Sequence, residues 1–282
     1  MALPFILYAN LADATGATLT ASSTASGYDV NNLKDRNPAT FWKSTGSATE
    51  WIKVDLGAAS SRYVDAIGIT GHNLWTQTVS GVTIEWSTDD VTYSSVGVFS
   101  FSQAPMDLMG DRTYLQGGSN SVAGTPRYWR FTFTSCDGPI QIACLCAGEK
   151  LELPEYMDHG FDIDALTLSS RWHQSRGGLY VGGVVEHVKQ HIDLKFGPAA
   201  LARTWFETTG TPSWDDFIRN YWARGKPFWF KWGGESTSIA TNSVPRSGWY
   251  CWPSANAKSM SPFSTGVRRE WKFGFEALAE GY

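Results

Sequence analysis

The residues of this chain that could share a metal ion include two histidines at close spacing. His187 and His191 stand four residues apart, as the two histidines of helical zinc sites do. Residues 184–196 alternate apolar and polar side chains, however, and this period of two predicts a strand. On a strand the two imidazoles would lie roughly 13 Å apart, at about 3.3 Å per residue. Val188 also replaces the glutamate of the zinc motif, so the pair predicts solvated or interface histidines.

The cysteines are a second candidate for metal chemistry. Cys144 and Cys146 form one Cys-x-Cys pair, and Cys136 and Cys251 are the other two cysteines of the chain. A single pair without a nearby histidine is more typical of buried structural thiols than of a thiolate site. Two cysteines on the same face of a strand also have poor geometry for a mutual disulfide. The sequence therefore predicts reduced cysteines, no metal site and no cofactor.

No motif for enzymatic chemistry is present. The chain has no nucleophile elbow, phosphate-binding loop or dinucleotide fingerprint. Its acidic residues are scattered, and nothing in the sequence places two of them across a glycosidic bond. We predict that the chain is not an enzyme.

Trp75 is the residue best suited to bind a ligand. It ends the segment Gly-His-Asn-Leu-Trp, residues 71–75, which follows an apolar strand pattern. An exposed indole in a loop offers a flat apolar face on which a sugar ring can stack. We take His72, Asn73 and Trp75 as candidate ligand-binding residues. The alternative, that Trp75 only covers the end of the fold, stays open at this point.

Strands in the first half of the chain must position these residues. Residues 51–56 and 128–133 alternate large apolar with polar side chains, and clusters of Gly, Asn, Asp and Ser separate the strands. No helical segment precedes residue 199, so the crossovers of a parallel sheet are excluded. The pattern predicts an antiparallel sandwich over residues 15–146, within a domain of residues 1–148. The residues expected to be buried in it are Trp42, Trp51, Ile67, Ile84, Trp129 and Phe131.

The second half has a different pattern and predicts a smaller α+β domain over residues 149–282. A strand over 184–196 is followed by a helix-compatible stretch, 199–208, and by a stronger helix over 213–224. That helix has an apolar face with a spacing of three and four residues. Two further strands are expected over 226–232 and 269–277. The residues on the apolar face of the helix are Trp214, Phe217, Ile218, Tyr221 and Trp222.

Aromatic residues in the second half suggest an interface. Residues 151–282 hold nine of the 14 tryptophans. The strand over 226–232 would present Phe228 and Trp232 on one face and Trp229 on the other. We predict Phe228, Trp229 and Trp232 as interface residues, with Trp229 exposed toward a neighbouring subunit, because large exposed apolar patches mark interfaces.

Composition narrows the choice of partners. The chain has 282 residues and a net charge of −4, and neither half has a basic patch, so nucleic acid is not an expected partner. No stretch is apolar enough to span a bilayer. Residues 1–8 are apolar but lack the basic flank of a signal peptide, and we expect them to form a first strand or arm.

The first half resembles the discoidin family, the coagulation factor 5/8 type C domains with a galactose-binding-like jelly roll. This resemblance implies a jelly-roll sandwich and binding to surfaces and sugars. In such folds an Asp-Gly-Asn-Pro-like turn often lies at a structural calcium site, and the matching residues here are Asp35, Arg36, Asn37 and Pro38. Because Arg36 brings a positive charge in place of glycine, we expect a turn without a metal. The segments that carry the resemblance are residues 17–28, 31–42, 50–57, 64–74, 82–93 and 126–134.

A looser resemblance covers more of the chain. Residues 66–74 and 225–230 are similar to phrases in bacteriophage minor tail proteins, which combine a discoidin-like domain with an α+β unit. It implies a structural protein of the tail tip or baseplate, made in the host cytoplasm and carried in the virion tail. Its partners would be other tail proteins, a homo-oligomeric ring and a host-surface glycan. The alternative is a carbohydrate-binding module of a bacterial surface or secreted protein.

Overall fold

The described part of the chain forms a stack of three antiparallel sheets with one short helix. The computed structural model describes most of the first half and separate parts of the second. The described residues are 3–57, 62–100, 107–111, 115–116, 125–153, 166–174, 176, 178, 180–196, 212–231, 248–254 and 271–278.

One wall of the sandwich is a six-stranded sheet. Its strand order is β2-β4-β10-β6-β7-β9, and every neighbouring pair is antiparallel. The strands are β2 (Thr18–Ala21), β4 (Ala48–Asp55), β6 (Gly81–Ser87), β7 (Ser94–Ser100), β9 (Leu115–Gln116) and β10 (Tyr128–Cys136).

The opposite wall is a four-stranded sheet in the order β3-β11-β5-β8, which is also antiparallel. Both sheets contribute buried side chains to one apolar core. The predicted antiparallel jelly-roll sandwich over residues 15–146 is thereby confirmed. The strands of the second wall are β3 (Trp42–Lys43), β5 (Ala66–His72), β8 (Asp107–Asp111) and β11 (Gln141–Gly148).

The third layer is a seven-stranded antiparallel sheet in the order β12-β1-β15-β16-β17-β14-β13. It combines the N-terminal strand with strands of the second half. Its strands are β1 (Phe5–Leu7), β12 (Leu151–Glu152), β13 (Leu166–Gln174), β14 (Tyr180–Phe196), β15 (Phe228–Lys231), β16 (Gly248–Pro253) and β17 (Trp271–Leu278).

The described helix, α1 (Trp214–Asn220), covers one face of the third sheet. Ser213 caps its N-terminus by accepting a hydrogen bond from the Asp216 amide, and Gly225 follows with a φ of +64°. The predicted helix and its apolar face are confirmed, because Phe217 packs edge-on against Phe228 at 5.0 Å between ring centroids. The helix-compatible stretch 199–208 lies outside the described residues. Among the residues described, no helix could cross a membrane.

Five of the six residues expected in the sandwich core are buried there, and Trp51 is not. On β4 the buried side chains are Glu50, Ile52 and Val54, so Trp51 shares the outer face with Lys53. The predicted period of two is correct, but the face predicted for the indole is wrong. Lys53 lies 5.9 Å from the Trp51 ring, which gives the indole a cationic neighbour on that face.

The N-terminal strand departs from the domain boundaries expected from the sequence. The sequence predicts one domain over residues 1–148, but β1 pairs with β15 and β12 in the third sheet. Residues 1–8 do contain a strand, as expected. A continuous apolar run can serve any buried strand, so the sequence of this stretch does not indicate which sheet it joins.

Candidate functional site

Trp75 lies at the end of the sandwich where β5 leads into β6. The indole is 52% exposed, whereas the preceding Leu74 is fully buried and anchors the loop. A single 3₁₀ turn, Trp75–Gln77, carries the ring, and the Val79 amide closes the loop by donating to the Leu74 carbonyl at 3.0 Å. The ring is therefore presented to solvent by a loop that is hydrogen-bonded to itself.

Asn73 fixes this loop to the neighbouring strand connection. Its Nδ2 donates to the Pro139 carbonyl at 3.1 Å, and its Oδ1 accepts from the Gln141 amide at 2.7 Å. His72 lies beside it, and its Nδ1 accepts from the Leu74 amide at 3.4 Å. The structure thus brings the three predicted ligand-binding residues together. It shows Trp75 as the exposed member and the other two as braces, while direct ligand contact by His72 and Asn73 stays a prediction.

Sequence reasoning missed the polar residues beside the indole. The Asp137 amide donates to the Gln77 carbonyl at 3.1 Å, and the Thr78 hydroxyl donates to the Asp137 carboxylate. The signal is the Asp-Gly pair after β10, which indicates a turn. An exposed aromatic ring with an exposed carboxylate and hydroxyl nearby can stack on a sugar and bind its hydroxyl groups.

The Asp35–Pro38 turn does not fit the calcium ion that the discoidin resemblance implies. One carboxylate oxygen of Asp35 accepts from the Asn37 amide at 2.8 Å, and the other accepts from the Thr40 hydroxyl at 2.5 Å. Asn37 likewise accepts from the Ala39 amide at 3.0 Å. Calcium requires several anionic or carbonyl oxygens directed at one point, whereas the side-chain oxygens of Asp35 and Asn37 accept hydrogen bonds within the turn.

The cysteine pair packs between sheets. Cys144 and Cys146 are buried with Phe5 and Tyr250 where the four-stranded and seven-stranded sheets meet. Burial raises the pKa of the Cys146 thiol to about 12, against the opposing effect of Arg36, so the thiol is neutral at physiological pH. Among the residues that the structure describes, no three His, Cys, Asp or Glu side chains converge on a common point.

The predicted exposure of Trp229 is wrong. Its indole is 1% exposed and lies against the Tyr250 ring at 4.6 Å between centroids. It also covers Gly68 of the sandwich. Phe228 is also buried within its own chain, under α1, and Trp232 lies outside the described residues. The aromatic strand serves an internal contact between sheets because the four-stranded sheet offers it an apolar outer face.

The histidine pair is on a strand, as the alternation predicted. Ser169 on β13 pairs with His187, and Glu276 on β17 pairs with His191. Both histidines therefore lie in β14, and the spacing of a helical zinc site does not apply to them.

Comparison with known proteins gives a family match in the first half. A family model for the F5/8 type C domain matches residues 18–143. No curated protein matches the chain.

Several solved structures have a similar region. A GH29 fucosidase of Ruminococcus gnavus in complex with fucose is 22% identical, with a TM-score of 0.39, over 51% of this chain and 27% of that one. The family 32 carbohydrate-binding module of Clostridium perfringens NanJ in complex with galactose is 16% identical, with a TM-score of 0.37, over 52% of this chain and 100% of that one. The lectin domain of lectinolysin complexed with Lewis B antigen is 17% identical, with a TM-score of 0.37, over 50% of this chain and 96% of that one. The chain thus spans about a quarter of the fucosidase.

The family match covers the strands of both sandwich walls, except for β11 beyond residue 143, and the loop that carries Trp75. It leaves the seven-stranded sheet and the helix outside, since those elements come from the residues before and after it. Residues 18–143 of this chain are an F5/8 type C domain.

Proposed function

We propose that this protein binds carbohydrate through its F5/8 type C domain, at the end of the sandwich that carries Trp75. The observation that carries the proposal is the half-exposed indole on a loop held by Leu74 and Asn73. Because the loop is already ordered, little further ordering of its backbone is needed when a sugar stacks on the ring. Domains of this family bind surfaces and sugars more often than they catalyse, and we propose binding without turnover.

The charge around the indole indicates the class of sugar. Residues 72–78 and 137–141 contain no lysine or arginine, and Asp137 is exposed beside Thr78. A carboxylate accepts hydrogen bonds from sugar hydroxyls but repels a uronic or sialic acid carboxylate. We propose a neutral glycan as the ligand.

The role in a phage tail, predicted from the looser resemblance, stays a prediction. The exposed Trp229 that was expected to support it is buried inside the chain. Residues 66–74 and 225–230, which carry that resemblance, supply β5 and β15 of the folded chain. Native mass spectrometry of the purified protein would detect the predicted ring.

The test of carbohydrate binding is a glycan array followed by titration calorimetry on the best neutral glycan. Trp75→Ala should weaken binding by about tenfold or more, the equivalent of 1.4 kcal/mol. Its unfolding free energy should stay within about 0.5 kcal/mol of the wild type, because the ring is on the surface.

Tyr63→Ala is the matched control, since Tyr63 is 41% exposed but lies in the loop before β5, at the opposite end of the sandwich. It should bind the glycan as the wild type does. Full affinity in Trp75→Ala, or a preference for acidic glycans across the array, would contradict the proposed site.

A further inference from the structure

Arg36 belongs to the sandwich but bonds to the rest of the chain. It follows the 3₁₀ turn Val30–Lys34 and adopts a left-handed backbone conformation, with a φ of +59°. Few residues other than glycine adopt that region, because the Cβ atom crowds the neighbouring backbone. The side chain extends from this turn to the segments beside the third sheet, where it contacts Pro227 and Tyr8.

The guanidinium group of Arg36 donates hydrogen bonds to three oxygen atoms, which belong to three separate segments of the chain. Nη1 donates to the Pro227 carbonyl at 2.8 Å, just before β15. Nη2 donates to the Tyr8 carbonyl at 2.8 Å and to the Asp13 carboxylate at 2.6 Å. The side chain is only 10% exposed, so these bonds form largely out of water. They join the N-terminal segment and the aromatic strand to one cation.

Two aromatic residues complete the contact. The Arg36 guanidinium lies 4.8 Å from the centroid of the Tyr221 ring at the end of α1. The Tyr250 hydroxyl on β16 donates to the Arg36 carbonyl at 2.6 Å. Both the side chain and the backbone of this residue are therefore bound to the second half of the chain.

We infer that Arg36 is an internal structural cation, which fixes the F5/8 type C domain to the seven-stranded sheet and makes this joint independent of divalent metal. The two carbonyls and the carboxylate that surround the guanidinium are oxygen ligands of the kind that a hard metal cation such as calcium also binds. A guanidinium can bond to all of them at once, since it has five donors in a fixed plane and remains charged at any physiological pH. Arg36, which stands where the calcium turn has glycine, thus places its positive charge on other parts of the chain.

The experiment uses the full chain and compares wild type, Arg36→Gly and Asp13→Asn. Glycine suits the left-handed backbone, so Arg36→Gly removes the cation without adding strain. Calorimetry of the wild type in excess EDTA and in millimolar calcium should give the same Tm. Hydrogen exchange should show about a tenfold or larger loss of protection in Arg36→Gly at β1 and β15, with β4 and β10 unchanged, since separate parts of a protein can open independently.

Asp13→Asn keeps the shape of the side chain and removes only its charge. It should lower protection in β1 and β15 by a smaller factor than Arg36→Gly, and it decides the question if the glycine variant fails to fold. A calcium-dependent rise in the Tm of the wild type would overturn the inference. Wild-type protection of β1 and β15 in Arg36→Gly, or in Asp13→Asn if Arg36→Gly does not fold, would also overturn the inference.

Discussion

The two faces of the four-stranded sheet are packed in different ways. Its inner face meets large side chains of the opposite wall, including Trp129 and Phe131. Its outer face is made of small residues, such as Gly68 and Ala143, and meets large side chains that come from the third sheet. In the sandwich core, large side chains from both sheets interdigitate. At the junction, the contact between the four-stranded and seven-stranded sheets, large side chains come from one sheet only and pack on small residues of the other.

That difference is visible in the sequence of the strands. Strands β4 and β10 alternate, because one of their faces is exposed to solvent. Strand β11 is apolar at every position after Gln141, and the first five residues of β5 are buried without alternation, which is typical of strands covered on both faces. The run of small and apolar residues in β11, with its two cysteines, therefore indicates a second covering layer by its composition alone.

Loss of Trp129 should destabilise the sandwich core. The ring is fully buried, and its Nε1 donates to the Arg62 carbonyl at 3.0 Å. Trp129→Ala leaves a cavity and should lower the unfolding free energy by about 3 to 5 kcal/mol. Urea denaturation followed by fluorescence measures the loss. A change below about 1 kcal/mol would mean that the core can close around the missing ring.

A single methyl group should test the junction. A Cβ on Gly68 would lie 2.6 Å from Cδ1 of Trp229, closer than two carbon atoms can approach. Gly68→Ala should therefore force the indole to move and cost about 1 to 3 kcal/mol, as overpacking does.

The double variant shows whether the indole is the cause. In a Trp229→Ala background, Gly68→Ala should cost much less, so the two substitutions should couple in a double-mutant cycle. Equal penalties in both backgrounds would show that the cost of Gly68→Ala does not arise from contact with Trp229 on β15.

The sequence predicts the elements of the fold better than their contacts. Alternation identifies the strands of the first half and the long strand β14, and the helix signals around Ser213 and Gly225 are correct. These features depend on neighbours in the chain, so they can be recognised locally. The face of Trp51 follows from the same alternation, which places it with Lys53 and Asp55. The prediction that Trp51 is buried is wrong because it relies on the size of the indole instead of on this register.

The candidate site is also predicted only in part. Trp75 follows an apolar strand in a loop, which is a local signal, and the structure shows the ring exposed. The Thr78–Asp137 pair joins two loops that are far apart in the sequence, so only the folded sheet brings it to the indole. The same holds for Arg36 and Pro227, whose contact depends on how the third sheet sits on the second.

The stability of the junction and that of the six-stranded sheet should also depend differently on pH. Asp55 on the six-stranded sheet is hydrogen-bonded to the Arg127 side chain, and this bond holds the pKa of the Asp55 carboxyl below its ordinary value of 3.8. Its contribution to stability is present above that value and is lost as the pH falls through the lowered pKa. At the junction Tyr250 behaves in the opposite sense, because burial raises the pKa of its phenol above 10.0.

The last prediction is that alkali weakens the junction through Tyr250. In the unfolded chain this phenol ionises near its ordinary pKa of 10.0, while the buried phenol stays neutral. The unfolded state therefore loses the proton first, and the unfolding free energy falls above that pH by about 1.4 kcal/mol per pH unit for such a tyrosine. Tyr250→Phe removes the ionisable group, so its loss of stability between neutral and alkaline pH should be smaller by that share. Its acid limb should match the wild type, since Asp55 and Arg127 are unchanged. An alkaline limb as steep as in the wild type would show that Tyr250 ionises without opening the junction.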